Sequence, residues 1–248
     1  MTRVIIAGAT GRVGQAMMAG LAQQMDIQLV GGFGSRDAQA QLQRLLPQAN
    51  VLVDFTTAAA APEILLSAAR AGVRPVSGTT GLPADALDEL DRELRSKSLG
   101  GAWAPNFAVG AALMMHFARL AARCMDAAEV IEMHHDRKVD APSGTAVSTA
   151  RLIRAARETD VPDPPVERWT LEGARGAVEG GVRVHSVRLP GLVAHQEVLF
   201  GAAGQLLTIR HDATGRDTYV PGVLLAIEAV QQRVGLVRGL ETIMGLEV

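Results

Sequence analysis

The chain reads as an α/β protein, a doubly wound parallel sheet followed by a second domain of α+β type. Three observations predict this. Short apolar runs alternate with helical patterns up to about residue 105. A glycine-rich turn joins the first run to the first helix. After Asn106 the texture changes, and strand-like stretches follow one another without intervening helices.

"RVIIAG" (3–8) reads as a buried strand and "RVGQAMMAGLAQQ" (12–24) as the helix after it. "IQLVGGF" (27–33) and "VLVDFT" (51–56) are the next strands, and "APEILLSAARAG" (61–72) is a helix. Its Pro62 suits a first turn and its Gly72 a stop. "VRPVSG" (73–78), a helix over 84–97 and "GAWAP" (101–105) complete the series. Such βαβ units place ligands at the carboxyl ends of the strands. Beyond lie a helix (108–125), the strand "EVIEMHH" (129–135) and a helix over about 144–158. A proline-rich connection (160–167) precedes strands over 182–189, 195–200 and 205–212, and a last helix runs over about 217–234. The expected domains are 1–105, completed by 217–248, and 106–216. A broad second sheet lacking a helix on one face would be covered by another subunit.

Composition narrows the function classes. With 248 residues, 48% hydrophobic, and a formal net charge of −2, there is no electrostatic pull toward nucleic acid or anionic membrane. Aromatics at 3% argue against a base-stacking surface. The single cysteine, Cys124, excludes an intramolecular disulfide, suits a reducing compartment and reads as a small core residue. The N-terminus does not read as a signal peptide, and the apolar helix over 108–118 is too short to span a bilayer. A cytoplasmic protein is expected.

"GATGRVG" sets Gly8, Gly11 and Gly14 between strand and helix. A tight turn and close approach of a pyrophosphate both need bare backbone, and a helix N-terminus offers unpaired N–H groups. The spacing is weak alone and gains weight from its place in a βαβ series. It predicts a Rossmann-like dinucleotide site over Gly8, Ala9, Thr10, Gly11, Arg12 and Val13. Where many such folds carry an acidic ribose-binding residue, this chain has Gly34 in "GFGSRD". Arg36 is suited to a 2′-phosphate, so NADPH is expected to serve at least as well as NADH. "DFTT" (54–57), "GTTG" (78–81) and "APNF" (104–107) follow strands on the same edge.

"EMHHDRKVDAPSGTA" (132–146) admits three readings. A metal site would want ligands on one face, whereas adjacent histidines on a strand diverge, so no metal is expected. One core and one surface histidine would explain either residue but leave Lys138 and Ser143-Gly144-Thr145 unexplained. An anionic-substrate site uses all of them: Ser143 as N-cap, free N–H groups for a carboxylate, the Lys138 cation and a histidine as acid. His116, His185, His195 and His211 are weaker candidates. Tyr219, the sole tyrosine, has Val223 four residues on, which excludes a Tyr-x-x-x-Lys reductase.

"GATGRVG", "VDFTT", "GTTG", "APNFAVGA", "HSVRLPGLVAHQEVLFG", "TIRHDATGR" and above all the histidine-lysine stretch together resemble the 4-hydroxy-tetrahydrodipicolinate reductase (dihydrodipicolinate reductase) family from end to end. The resemblance implies an NAD(P)H-dependent reduction of a cyclic imine dicarboxylate, with loss of water, in the diaminopimelate route to lysine. It implies His134 as proton donor/acceptor, Lys138 as second donor, and His135, Ser143, Gly144 and Thr145 as substrate contacts. It further implies cofactor contacts from the glycine loop, from Gly78, Thr79 and Thr80, and from Ala104, Pro105, Asn106 and Phe107. The family assembles as a homotetramer through the second domain. Gly34 departs from its usual acidic residue. Two other classes stand beside this reading: another two-domain NAD(P)-dependent dehydrogenase of an amino-acid-like substrate, and a non-catalytic nucleotide-sensing protein. The 132–146 stretch discriminates against both.

Overall fold

The structure, a computed structural model, describes residues 1–246; the last two residues of the expected 217–248 return lie outside it. The chain divides into two compact units, Met1–Val109 with the chain from Arg216, and Gly110–Gly215.

The first unit runs β1 (Thr2–Ala7), α1 (Arg12–Leu21), β2 (Ile27–Phe33), α2 (Ala38–Leu45), β3 (Val51–Asp54), α3 (Ala61–Arg70), β4 (Arg74–Ser77), α4 (Ala84–Ser96) and β5 (Gly100–Trp103). The second runs α5 (Val109–Ala121), β6 (Ala127–His134), α6 (Gly144–Ala155), β7 (Ala177–Glu179), β8 (Val182–Arg188), β9 (Ala194–Ala202) and β10 (Gln205–Ala213). The chain then returns through α7 (Val220–Gln232), β11 (Gly235–Arg238) and α8 (Leu240–Ile243).

The first sheet is parallel, in the order β11-β5-β4-β3-β1-β2. Its central strands are covered on both faces, so they read as unbroken apolar runs: Val4, Ile5, Ile6, Val51, Leu52 and Val53 are all fully buried. The winding reverses between β1 and β3, the place where a doubly wound sheet opens its crevice. Register brings the strand ends level, Ala7 beside Asp54 and Asp54 beside Ser77.

The second sheet is mixed, in the order β10-β9-β6-β8-β7, with β6 antiparallel to β9 and parallel to β8. Ala128 and Val130 of β6 pack with Ala146, Ala150 and Ile153 of α6 and with Val184 and Phe200 of the neighbouring strands. The period of two then places Glu132 on that same buried face, and His134 next along it.

Several expectations change. The first helix stops at Leu21, not residue 24, because no apolar face continues and Met25 is 94% exposed. The helix expected over 108–125 ends at Ala121, and Cys124 is exposed in the turn beyond, not a core residue. The Arg157 guanidinium donates to the carbonyls of Ala122, Met125 and Asp126, and so satisfies the backbone where the helix stops. Four elements enter that the sequence reading passed over: α2, β7, β11 and α8. β6 ends at His134, so His135 lies past the strand and not on its opposite face.

Candidate active site

The first unit builds its crevice from loops stitched to strand ends. Ala9 N–H donates to Phe33 O (2.9 Å), Phe55 N–H to Ala7 O (3.1 Å), Gly78 N–H to Asp54 O (2.9 Å) and Ala104 N–H to Ser77 O (3.1 Å). Gly8 has φ +80°, and a Cβ there would strike the Phe55 carbonyl. A Cβ on Gly14 would strike the Gly8 carbonyl, so the helix can start against the turn only with glycine there. α1 begins at Arg12 without a side-chain cap, which leaves its first N–H groups open to an anion.

Two clefts flank this turn. One, of about 410 Å³, is lined by Gly11, Arg12, Val13, Phe55, Thr56, Thr57, Gly78, Thr79, Thr80 and also Arg216. The other, of about 440 Å³, is lined by Thr10, Gly34, Ser35, Arg36 and Gln41 among others. Bare backbone, a free helix start and arginines fit a dinucleotide. Thr10 fills the space where a side chain at position 34 would begin, since a Cβ there would collide with its hydroxyl. Ala104 and Phe107 are buried, and Phe107 stacks edge-on to Phe55 with ring centroids 6.2 Å apart. Asn106 Oδ1 accepts from Ala108 N–H (2.9 Å). None of residues 104–107 lines either cleft.

Sequence reasoning missed the residue that ties these loops together. Asp54, fully buried, accepts at Oδ1 from Thr56 N–H (3.0 Å) and Thr56 Oγ1 (2.6 Å), and at Oδ2 from Ser77 Oγ (2.7 Å) and Thr79 Oγ1 (2.8 Å). Thr79 therefore turns its hydroxyl inward, while its N–H donates to Ser77 Oγ (3.2 Å) and its carbonyl accepts from Trp103 Nε1 (2.9 Å). A carboxylate closing an otherwise apolar strand was the available signal.

In the second unit, Ser143 is the N-cap of α6, its Oγ accepting from Ala146 N–H (3.2 Å). Gly144 and Thr145 follow as the first two helical residues, whose N–H groups have no intrahelical partner. Lys138 Nζ donates to both carboxylate oxygens of Asp140 (2.7 and 2.8 Å). That ammonium holds the Asp140 carboxyl below the usual carboxylate range. His135 is partly buried, its Nδ1 shielded and without a hydrogen-bond partner.

His134 Nδ1 lies 2.5 Å from Glu132 Oε2, within hydrogen-bond distance. Arg188, paired with His134 in register on β8, grips Glu132 with Nη1 on Oε2 (2.8 Å) and Nη2 on Oε1 (2.7 Å). Ser143 N–H also donates to Glu132 Oε1 (3.2 Å). Burial pushes the Glu132 carboxyl up, but hydrogen bonds from His134, Arg188 and Ser186 outweigh it and hold it at about 2. The stretch thus brings His134 and Ser143 together through Glu132, which the sequence reading did not single out. Among the described residues, no group of three or more His, Cys, Asp or Glu side chains is placed to hold a metal ion. No described helix is long and apolar enough to cross a membrane.

The chain is similar to known proteins over nearly its whole length. The model for the N-terminus of dihydrodipicolinate reductase matches residues 2–107, and that for its C-terminus matches residues 110–244. A 4-hydroxy-tetrahydrodipicolinate reductase from Moorella thermoacetica is 48% identical, with 98% of this chain and 97% of that one aligned. One from Mycolicibacterium vanbaalenii is 46% identical over 99% of this chain and all of its own. A dipicolinate-bound dihydrodipicolinate reductase from Paenisporosarcina sp. TG-14 superposes with a TM-score of 0.89 at 40% identity, over 98% of this chain and 99% of that one. With both units matched from end to end, the chain belongs to the dihydrodipicolinate reductase family.

Proposed function

We propose that the chain reduces 4-hydroxy-tetrahydrodipicolinate to tetrahydrodipicolinate with NADPH or NADH, in the diaminopimelate route to lysine. The reaction adds two hydrogens and releases water. A bound nicotinamide supplies one as hydride and is oxidised. The second arrives as a proton on the electron-rich ring intermediate left by the hydride.

His134 is the proposed source of that proton, with Lys138 as the second donor. Nδ1 faces Glu132, so Nε2 is the ring nitrogen left for transfer. The N–H bond breaks, its electron pair stays on the imidazole, and the proton forms the new bond on the substrate. The N–H groups of Gly144 and Thr145 and the Ser143 cap suit one substrate carboxylate, and His135 and the Lys138 cation suit contacts to the anion. In the first unit, Gly8 to Val13, Arg36 and the 78–80 turn are the proposed cofactor contacts, with the backbone of 104–107 beside them.

The observation carrying this reading is the Glu132 carboxylate. It couples the His134 imidazole to the start of α6, the proposed anion cradle, within a chain of this family. We place the enzyme in the cytoplasm, and the outer strand β10, which exposes Leu206 (72%) and Leu207 (41%), supports its assembly as a homotetramer. Light scattering should give four times the chain mass; a monomer would contradict it. For the activity itself, the product of dihydrodipicolinate synthase is supplied and nicotinamide oxidation followed with each cofactor. Substrate-dependent oxidation supports the reading, and none with either cofactor removes it.

A further inference from the structure

We infer that Glu132 is the positioning residue for the reaction: it fixes the tautomer and aim of His134 and sets its spacing from the start of α6. The inference rests on the proposed role of His134 as the proton donor.

The place of Glu132 in the fold is what needs explaining. β6 buries Ala128, Val130 and Glu132 on one face, and Glu132 is 0% exposed. The stripe calls for an apolar residue there. A buried carboxylate is costly unless paired, and an ion pair in such a place is weak evidence of a stabilising role. Packing alone therefore gives no reason for this carboxylate.

Its partners do. Oε2 receives His134 Nδ1 and Arg188 Nη1; Oε1 receives Arg188 Nη2 and Ser143 N–H. An ionised carboxylate only accepts hydrogen bonds, so the neutral imidazole must carry its hydrogen on Nδ1 and present a bare Nε2. When Nε2 takes up a proton, the same carboxylate faces the imidazolium without itself accepting that proton. Arg188 keeps the carboxylate in one orientation, and its Nη2 also donates to Asp140 O (2.8 Å), tying in the loop that carries Lys138. Oε1 meanwhile pins the N–H of the residue that caps α6. A single side chain so holds the acid and the anion cradle in one geometry, and small errors in such geometry are expensive for rate.

Two measurements test this. The ring ¹⁵N resonances of His134 in the wild-type protein should report the Nδ1–H tautomer for the neutral ring. In steady-state assays, Glu132→Gln should lower kcat by at least about tenfold, and by no more than the ~10²–10⁴-fold worth of a positioned general acid. NADPH affinity should not change. In a His134→Gln background the same substitution should cost no further kcat, because its effect passes through the imidazole. An Nε2–H tautomer, wild-type turnover in Glu132→Gln, or equal fold losses in both backgrounds would overturn the inference. Equal losses alongside a crippled His134→Gln variant would leave the role of His134 standing, whereas undiminished turnover in His134→Gln would remove both. The tautomer measurement needs no variant, so a poorly folding Glu132→Gln leaves the inference testable.

Discussion

The guanidinium of Arg188 meets the buried carboxylate of Glu132 at two points, 2.8 and 2.7 Å, across neighbouring parallel strands. Burial pushes the Glu132 carboxyl up, and hydrogen bonds from His134, Arg188 and Ser186 together outweigh it, to about 2 against an ordinary value of 4.5. A folded-state value below the unfolded one contributes stability above pH 4.5, which is lost as pH falls from 4.5 through about 2. At about 1.4 kcal/mol per tenfold in proton affinity, the contribution is on the order of 3 kcal/mol. Urea unfolding of wild type and Glu132→Gln should show a gap that is widest above pH 5 and narrows toward pH 2. An equal gap at pH 6 and pH 3 would contradict this.

Asp54 organises the other unit. Its four donors come from Thr56, Ser77 and Thr79, so removing it orphans buried hydroxyls and frees two loops of the proposed cofactor site at once. Asp54→Ala should cost about 2–3 kcal/mol of stability, at about 1–3 kcal/mol for each buried group left unpaired. It should also weaken NADPH binding by about tenfold or more, the counterpart of about 1.4 kcal/mol. Fluorescence titration with NADPH and a thermal melt check both, and unchanged affinity would show that the loops hold without it.

At the proposed cofactor site, the choice between NADPH and NADH turns on Arg36 and Gly34. Position 34 offers no carboxylate to a ribose, and Thr10 fills the space a side chain there would need. A 2′-phosphate on Arg36 would gain a charge-assisted pair of about 1.5–3 kcal/mol. Arg36→Ala should therefore lower kcat/KM for NADPH by about 10- to 100-fold and leave NADH within about twofold. Equal losses with both cofactors would refute the assignment.

Legibility from sequence varied for physical reasons. β2 was bounded correctly at 27–33 because its apolar run stands between polar turns, and the Ser143 cap was visible in Pro-Ser-Gly-Thr. α2 was missed because its exposed face is glutamine-rich, although Leu42 and Leu45 bury at a helical spacing of three. β11 is four residues, Gly235–Arg238, with Gly239 directly after it, and only its pairing with β5 defines it. Cys124 looked like core because composition cannot show that α5 stops at Ala121. Glu132 was readable in principle, as the polar residue on an apolar alternation two positions before a histidine. Its partners were not, because Arg188 is 56 residues away and arrives only through sheet register.

On the proposed function, His134 delivers the proton while the first unit independently binds the nicotinamide. The most direct test is His134→Gln, measured as kcat with the synthase-generated substrate and as the Kd for NADPH. The expected result is a kcat lowered by about 10²–10⁴-fold with the NADPH Kd unchanged. Turnover within twofold of wild type, or a loss explained wholly by weaker NADPH binding, would contradict it.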